Sequence, residues 1–530
     1  MSRNITIPPF GSNYRASGLL LHVTSLPSPY GIGDIGPAAV AWIDRLAESG
    51  QSWWQALPLG PTGYGNSPYQ PLSSFAGNAL VISPDWLMED GLLRPELNTP
   101  SFPLNEVDYN AVIPFKHRLL EEAWANFNAG VRSGLRAAYD QFRHDQAHWL
   151  EDYALFRALK RQFDDVHYLE WPEEFVRRKP AALERARHEL KHSIELVSFI
   201  QFVLSIQAER LKTYAHARGV RLIGDLPFFV SPDSSEVWAN PEFFLLDSQR
   251  RPCFVAGVPP DYFSAEGQLW GNPVYDWQNL QRAGHHWCID RLRSLLSHVD
   301  AIRLDHFRGF SAAWHVPKDA RTAVSGAWVP GPGTEFFRAV ERELGQLPFI
   351  AEDLGLITND VHELREQFHL AGTRVLQFAF DGDRGNPHLP DNYNTNTVVY
   401  TGTHDNPPTR FWFEELPEAQ RRNFYAYLNE RGRQTVAGTA DMLDLAWSSP
   451  AALAIAPLQD LLNLGKEARM NMPGRAEGNW RWRATEEMLS DRAFEWLSGL
   501  TKASKRTAEQ RRQNESDTAT AQLGSEHLAG

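Results

Sequence analysis

Short apolar runs of strand length recur along the chain, and several of them end in polar or Gly/Pro-rich segments. This pattern is typical of buried strands that lead into loops. In chain order the runs span residues 18–23, 52–57, 221–225, 300–305, 348–352, 373–380, 397–401 and 452–456.

Apolar residues at helical spacing lie between most of these runs, for example over residues 38–49, 285–299 and 334–347. Eight strands that alternate with helices predict a parallel α/β fold, and the number eight suits a closed TIM (β/α)8 barrel. We expect the barrel to occupy residues 1–500, with helical and loop insertions. No alternating strands follow residue 456, so we expect no C-terminal β-sandwich.

The spacing of the predicted strands is uneven, which indicates insertions. Residues 104–218 have a mostly helical pattern with breaks at proline, so we expect a mainly helical inserted subdomain there. Residues 501–530 are polar and nearly free of aromatic side chains, a composition that predicts a disordered tail.

The chain is acidic, with a formal net charge of -13, which argues against nucleic acid or an anionic membrane as a partner. The N-terminus lacks a basic start followed by a long apolar run, and the apolar stretch at 19–23 is too short to span a bilayer. The two cysteines, Cys253 and Cys288, are too few for a disulfide framework. We therefore expect a soluble, cytoplasmic protein.

Three carboxylates follow predicted strands: Asp305 ends the run DAIRLD, Glu352 ends PFIAE, and Asp405 follows NTVVYTGTH. The carboxyl ends of barrel strands face the active site. Because side chains alternate along a strand, Arg303 shares a face with Asp305. An arginine keeps a nucleophilic carboxylate ionised, whereas a general acid must stay protonated near neutral pH. Asp305 therefore suits the nucleophile and Glu352 the acid/base of a retaining glycosidase.

Each carboxylate taken singly also fits a helix cap or an ion pair. Three strand-end carboxylates with arginine and histidine beside them favour catalysis instead. His306 and His404 adjoin two of the carboxylates and could donate to sugar hydroxyls or bind a metal. No third ligand follows at a usual spacing such as HExxH, so we expect neither a metal nor a cofactor.

The chain also resembles the amylomaltases, 4-α-glucanotransferases related to the α-amylases. The similarity runs in order through LLLHVTSLPSPYGIGDIG, LPLGPTGYGNSPYQPLSSFAGN, RLIGDLPFFVSPDSSEVWANPEFF, VAGVPPDYFSAEGQLWGNPVYDW, DAIRLDHFRGF, FIAEDLG, TGTHDN and MNMPGRAEGNWRWR. It implies a retaining transferase on a TIM barrel. Maltooligosaccharides or amylose would donate α-1,4-glucan segments to the 4-hydroxyl of glucose or of another glucan.

The resemblance further implies the roles of individual residues. Asp305 matches the nucleophile, Glu352 the acid/base and Asp405 the carboxylate that stabilises the transition state. Residues 240–280 would cover the substrate, and segment 259–270 within them would disfavour water. The implied substrate-binding residues are Tyr69, Ser67, Asp225, Arg303, His404, Gln268, Trp270, Asn272, Asp261, Tyr262, Phe263 and, in a more remote groove, Tyr64.

One departure from the family pattern is visible. Many members have an acidic residue after HDN, where this chain has Pro407 and Pro408, which remove backbone donors. Two other functions stay open: an α-1,4-glucan hydrolase of the same clan, and a non-catalytic glucan-binding protein. The three intact carboxylates argue against the binding protein. The sequence gives no indication of the oligomeric state.

Overall fold

The computed structural model describes residues 8–11, 13–131, 133–260, 265–433, 438–475 and 477–511, without the side chain of Tyr64. The strands within these residues are β1 (Ala16–Leu20), β2 (Trp53–Gln55), β3 (Arg221–Leu226), β4 (Phe254–Val258), β5 (Gln268–Pro273), β6 (Ala301–Leu304), β7 (Ala312–Pro317), β8 (Ala327–Pro330), β9 (Phe349–Ala351), β10 (Ala371–Val375), β11 (Thr397–Tyr400) and β12 (Leu453–Pro457).

The α-helices in the same residues are α1 (Pro37–Glu48), α2 (Pro84–Glu89), α3 (Tyr109–Asn128), α4 (Gly134–Asp145), α5 (Ala147–Gln162), α6 (Glu173–Val176), α7 (Pro180–Glu189), α8 (Lys191–Ala217), α9 (Ser235–Ala239), α10 (Trp277–Arg282), α11 (His286–His298), α12 (Gly333–Leu344), α13 (Asn359–Gln367), α14 (Thr409–Glu415), α15 (Glu418–Glu430), α16 (Gly438–Ser448), α17 (Leu458–Leu461) and α18 (Asp491–Ala503). None of these helices pairs enough length with enough apolar character to cross a membrane.

Eight strands close into a parallel barrel in the order β1-β12-β11-β10-β9-β6-β3-β2. The predicted TIM barrel is therefore confirmed, and each of the eight predicted runs contains or overlaps a barrel strand. Strand ends were less predictable from apolar character alone. The run predicted over 373–380, for example, is extended only to Val375 and then turns into a 3-10 helix.

Alternation along the strands decides which side chains fill the barrel. Leu20, Trp53 and Ile350 belong to the buried cluster inside it, whereas Leu19 and Trp54 point outward against the surrounding helices. Strands buried on both faces read as continuous apolar runs, and this is why the barrel is visible in the sequence.

Seven helices, α2 to α8, lie between β2 and β3, and six of them, α3 to α8, fall within residues 104–218, where the sequence predicts a helical insertion. A buried charge fastens this insertion to the barrel. Lys116 on α3 donates from Nζ to the carbonyl oxygen of Ile82 at 2.7 Å and lies 3.9 Å from Asp34. Both charged side chains are only 2% exposed, so the polar contacts compensate for their burial.

A four-stranded antiparallel sheet, in the order β5-β4-β7-β8, was not predicted. Two of its strands lie within residues 240–280, which the sequence suggested as a loop region, and the other two follow β6. Ala256 and Ala313 are buried in its inner face against the same apolar cluster as the barrel strand residue Leu304. The sheet is therefore packed on the barrel beside the carboxyl ends of β3 and β6.

The tail predicted to begin at residue 501 overlaps ordered structure. Helix α18 continues to Ala503, and the guanidinium of Arg506 is buried and donates to the carbonyl oxygens of Trp447, Ala16 and Ser449. These bonds use carbonyls at the amino-terminal end of the barrel, so Arg506 ties the C-terminal segment to β1. Residues 512–530 of the predicted tail lie outside the described residues.

A substitution at Gly18 in β1 can test how closely β1 and β2 pack in the barrel. A Cβ atom at this position would overlap the carbonyl oxygen of Trp53, its neighbour in the parallel register with β2. We predict that Gly18→Ala lowers the free energy of unfolding by about 2–4 kcal/mol, because backbone cannot move aside as a flexible side chain can. Thermal or denaturant unfolding of the variant measures the loss.

Gly499→Ala is the matched control, because a Cβ there meets nothing within 4 Å and the residue lies inside α18. The same substitution should be stabilising by about 0.5–1 kcal/mol at this helical position. Equal stability of Gly18→Ala and wild type would show that β1 and β2 are not held at this separation.

Candidate active site

The register between β3 and β6 brings an acidic and a basic side chain together inside the barrel mouth. Asp225 pairs directly with Arg303 across these two strands. Nη1 of Arg303 lies 2.9 Å from both carboxylate oxygens of Asp225, whose side chain is 0% exposed. A buried carboxylate is costly without an opposite charge, and so is a buried guanidinium. Asp225 and Arg303 therefore stabilise each other's charge inside the barrel.

The same guanidinium nitrogen reaches the strand-end aspartate. Arg303 Nη1 donates to Asp305 Oδ1 at 2.9 Å, and the Asp305 side chain is 28% exposed. Burial opposes the charge on Arg303, but Asp225 and Asp305 raise its pKa above the ordinary value. The arginine therefore stays cationic, and it holds Oδ1 of Asp305.

Glu352 follows β9 and lies level with Asp305 at the barrel mouth. The backbone N–H of Glu352 bonds to the carbonyl oxygen of Leu304 at 3.1 Å, which continues the ladder between β6 and β9. Burial raises the pKa of Glu352 to about 8, and the nearby charge of Asp305 adds to the effect although Arg303 opposes it. Glu352 is therefore protonated at neutral pH while its neighbour on β6 is paired with an arginine.

His306 contributes through its backbone. Its φ of 49° lies in the left-handed region, and its N–H donates to Glu352 Oε2 at 2.7 Å. Its imidazole packs edge-on to Trp270, with ring centroids 4.8 Å apart, and burial lowers its pKa to about 4. The imidazole is thus neutral and packed among the rings of Phe228, Phe229 and Trp270.

An aromatic platform lies beside the pair formed by Asp225 and Arg303. Tyr69 donates from its hydroxyl to Asp225 Oδ2 at 2.7 Å, and its ring stacks on His404 with centroids 4.9 Å apart. Ser67 supports Tyr69 by accepting its backbone N–H at 3.2 Å. Near them, burial lowers the pKa of His22 to about 3, so this histidine is neutral.

Asp405 is the most exposed of the three carboxylates, at 49% of its side chain. Asn471 donates to Asp405 Oδ1 at 2.6 Å, and Arg469 donates to the Asp405 carbonyl oxygen at 2.9 Å. The sequence identified Asp405 but not these two supports. Asn471 lies in the C-terminal block MNMPGR, and Arg469 directly precedes it. The similarity of this block to the family was the feature of the sequence that could have identified them.

Pro407 and Pro408 lead away from Asp405 into helix α14. The carbonyl oxygen of Pro407 accepts from Gln377 at 3.0 Å, and Asp460 accepts the backbone N–H of Thr409 at 2.7 Å. The two prolines therefore connect the catalytic loop to a buried polar support, and their missing N–H groups are not needed there.

The small sheet brings two of its three predicted binding residues toward the site. Trp270 contacts the loop after β6 through His306, and its indole N–H donates to Gln268 Oε1 at 3.2 Å. Asn272 is 4% exposed, and its amide donates to the carbonyl oxygen of Val230 at 2.8 Å and accepts from Gln70. Asn272 thus holds neighbouring loops together and is withdrawn from the cleft.

Four of the predicted binding residues cannot be placed in this arrangement. Asp261, Tyr262 and Phe263 lie outside the described residues, as does the side chain of Tyr64. In the parts of the chain that the structure does describe, no group of three or more His, Cys, Asp or Glu side chains is arranged to hold a metal ion.

The profile of glycoside hydrolase family 77, described as 4-alpha-glucanotransferase, matches residues 21–489. The chain is 48% identical over 490 residues to the 4-alpha-glucanotransferase of Synechocystis sp., a match that covers 92% of this chain and 96% of that protein. It is 47% identical over 482 residues to the 4-alpha-glucanotransferase of Aquifex aeolicus, covering 91% and 97%. The strand-end carboxylates all fall within the matched residues.

A solved structure with the same fold agrees with these relatives. The amylomaltase from Streptococcus agalactiae, in complex with acarbose, superposes with a TM-score of 0.89 at 37% sequence identity. The superposition covers 93% of this chain and 100% of that chain. The resemblance suggested by the sequence motifs is therefore confirmed over nearly the whole length of the chain.

The high pKa of Glu352 gives a direct spectroscopic prediction. Its carboxyl group should lose its proton as the pH rises through about 8, against an ordinary value of 4.5. Infrared difference spectra should therefore show a protonated carboxyl band that disappears between roughly pH 7 and pH 9. The raised pKa also means that wild type loses stability relative to Glu352→Gln as the pH rises from 4.5 toward 8.

The band should be missing from Glu352→Gln at every pH and present in Glu184→Gln, which changes an exposed position on α7. If the wild-type and Glu352→Gln spectra are the same across this range, Glu352 is not the protonated carboxyl at neutral pH.

Proposed function

The chain belongs to the 4-alpha-glucanotransferase family of glycoside hydrolases, and we propose that it transfers α-1,4-glucan segments by a retaining double displacement at Asp305 and Glu352. One observation carries the proposal. A carboxylate paired with Arg303 and a carboxyl with a pKa of about 8 end neighbouring strands of the barrel. A retaining glycosidase requires one group of each kind.

The first displacement forms the covalent intermediate. Glu352 gives its proton to the glycosidic oxygen of the donor, and the leaving glucan departs with a new hydroxyl group. Asp305 attacks the anomeric carbon with the oxygen that Arg303 does not hold, and the new C–O bond replaces the glycosidic bond. The hydrogen bond from the His306 backbone keeps the Glu352 carboxyl in a fixed position during this step.

The second displacement reverses these roles. Glu352, now a carboxylate, takes the proton from the 4-hydroxyl of an incoming glucan or glucose, and that oxygen attacks the anomeric carbon. The bond to Asp305 breaks, and its carboxylate is again stabilised by Arg303. Two inversions restore the α-configuration. Each step moves one proton and one glycosyl bond, so the reaction needs no cofactor.

Asp405 and the aromatic platform bind the sugar at the cleavage point. Asn471 holds Oδ1 of Asp405, so the other oxygen can accept hydrogen bonds from sugar hydroxyls. Interactions of this kind accelerate the reaction when they strengthen in the transition state. The ring of Tyr69, held in place by stacking on the buried His404, offers an apolar surface to the same sugar.

A cover over the site favours transfer over hydrolysis. We assign this cover to segment 259–270 within residues 240–280, because Trp270 packs on the loop that carries Asp305 and His306. A covalent intermediate that is shielded from water waits longer for a sugar acceptor. Residues 1–500 then act as one catalytic barrel, with residues 104–218 as its helical insertion.

We propose maltooligosaccharides and amylose as donors, glucose or a shorter glucan as acceptor, and the cytoplasm as the location. The acarbose complex of the Streptococcus agalactiae amylomaltase supports an oligosaccharide as the ligand. An α-1,4-glucan hydrolase would use the same carboxylates, and a glucan-binding protein would use the same platform. The products formed from a single short donor separate the three functions.

Incubation with maltotriose alone is the test. We predict a ladder of longer maltodextrins together with maltose and glucose, while the total number of reducing ends stays constant. Each transfer makes one glycosidic bond for each bond broken, which is why reducing ends are conserved. Products are separated by chain length, and reducing ends are counted in the same samples. Asp305→Ala should lower the rate by at least about a thousandfold.

Shorter sugars with reducing ends rising in step would identify a hydrolase. Unchanged maltotriose, despite measurable binding, would favour the non-catalytic function. Glu184→Gln on the exposed surface of α7 is the control for the variant, and its activity should equal that of wild type.

A further inference from the structure

Trp328 presents an indole ring to solvent beside the catalytic loops. It lies on β8, the edge strand of the small sheet, and is 36% exposed. Single exposed apolar residues are ordinary on protein surfaces, so the surroundings of this ring determine what it can do.

A buried arginine supports one side of the ring. The guanidinium carbon of Arg308 lies 3.8 Å from the indole centroid, close enough for a cation–π contact. Arg308 is itself 7% exposed and donates from Nη1 to the carbonyl oxygen of Leu356 at 2.6 Å and to the Thr358 hydroxyl at 3.0 Å. The arginine is therefore fixed to the loop after β9, and it fixes the ring.

Two further contacts hold β8 in place. Trp314 is paired with Trp328 across β7 and β8, and the two ring centroids are 5.2 Å apart at 67°. A Cβ atom at Gly331 would overlap the carbonyl oxygens of Gly309 and Phe310, so the end of β8 lies directly against the turn after β6. The ring is thus exposed but has little freedom to move.

These supports belong to the two loops that carry the catalytic carboxylates. Arg308 follows Asp305 by three residues, and Leu356 follows Glu352 by four. The Leu356 side chain is 55% exposed and adds apolar surface next to the ring. A glucan chain that ran from the cleavage point across these loops would meet Trp328 further along.

We propose that Trp328 is a stacking platform for a distal sugar of the α-1,4-glucan chain, a site that rests on the proposed function. The apolar C–H face of a pyranose matches the flat apolar surface of an indole. A ring that is already immobilised loses little conformational entropy when the sugar binds. Long chains gain this contact, whereas the short chain of maltotriose lies mainly at the cleavage point.

Binding of amylose and of maltotriose to catalytically inactive protein tests the platform. In an Asp305→Ala background, Trp328→Ala should raise the dissociation constant for amylose about fivefold more than that for maltotriose. Calorimetric titration measures both constants without turnover. Trp328→Phe keeps an aromatic ring and should recover most of the amylose affinity, which separates stacking from damage to the fold.

Trp496→Ala is the matched control, because Trp496 is 42% exposed but lies on α18. It should leave both dissociation constants unchanged. The proposal is overturned if Trp328→Ala behaves like Trp496→Ala, or if it weakens amylose and maltotriose equally. It is also overturned if Trp328→Phe is as weak as Trp328→Ala.

The binding assay is independent of the proposed function. Selective loss of amylose affinity in a protein whose wild type fails to transfer maltotriose would support the platform and reject the transferase. Efficient transfer by wild type, with unaltered amylose binding in Trp328→Ala, would reject the platform alone.

Discussion

The guanidinium of Arg303, buried between Asp225 and Asp305, is the interaction on which the site depends. Its charge is stabilised by a fully buried aspartate on the neighbouring strand, and this leaves it able to pair with the exposed aspartate at the mouth. Arg303 also acts to lower the pKa of the adjacent Glu352, but burial outweighs this effect and raises that pKa to about 8. In the proposed mechanism this arrangement divides the two carboxyl groups into a nucleophile and an acid, because Asp305, two residues after Arg303 at the end of β6, receives the hydrogen bond from the arginine.

The elements around this centre restrict access and hold it in position. His306, with its left-handed backbone, directs an N–H toward Glu352 and places its ring under Trp270 of the small sheet. The end of β8 in the small sheet packs against the turn after β6. A movement of the sheet would therefore also displace the loop that follows Asp305. Asn471 supports Asp405 from the opposite side. These contacts link the proposed water exclusion to the same residues to which we assign the chemistry.

The sequence predicted the barrel because its strands are buried on both faces and read as continuous apolar runs. It also pointed to the three candidate carboxylates, since Asp305 and Glu352 directly follow such runs and Asp405 lies five residues after the end of β11. The small antiparallel sheet escaped prediction because its strands are partly exposed and contain glycine and proline, as in GQLWGNP, so they do not read as continuous apolar runs. Asn471 was missed because it lies 66 residues from the Asp405 that it supports. The pattern also could not show that Asn272 is buried and His306 packed among aromatic rings, since both facts depend on the packing of separate elements.

The covalent intermediate on Asp305 is the central claim, and trapping it is the most direct test. Glu352→Gln lacks the acid, but α-maltosyl fluoride has a leaving group that needs no protonation, so the first displacement should proceed and the second should stall. Acid quenching, proteolysis and mass spectrometry should then find one maltosyl group on the peptide containing Asp305. Release of fluoride with no adduct, or an adduct on a different residue, would contradict the assignment of Asp305 as the nucleophile.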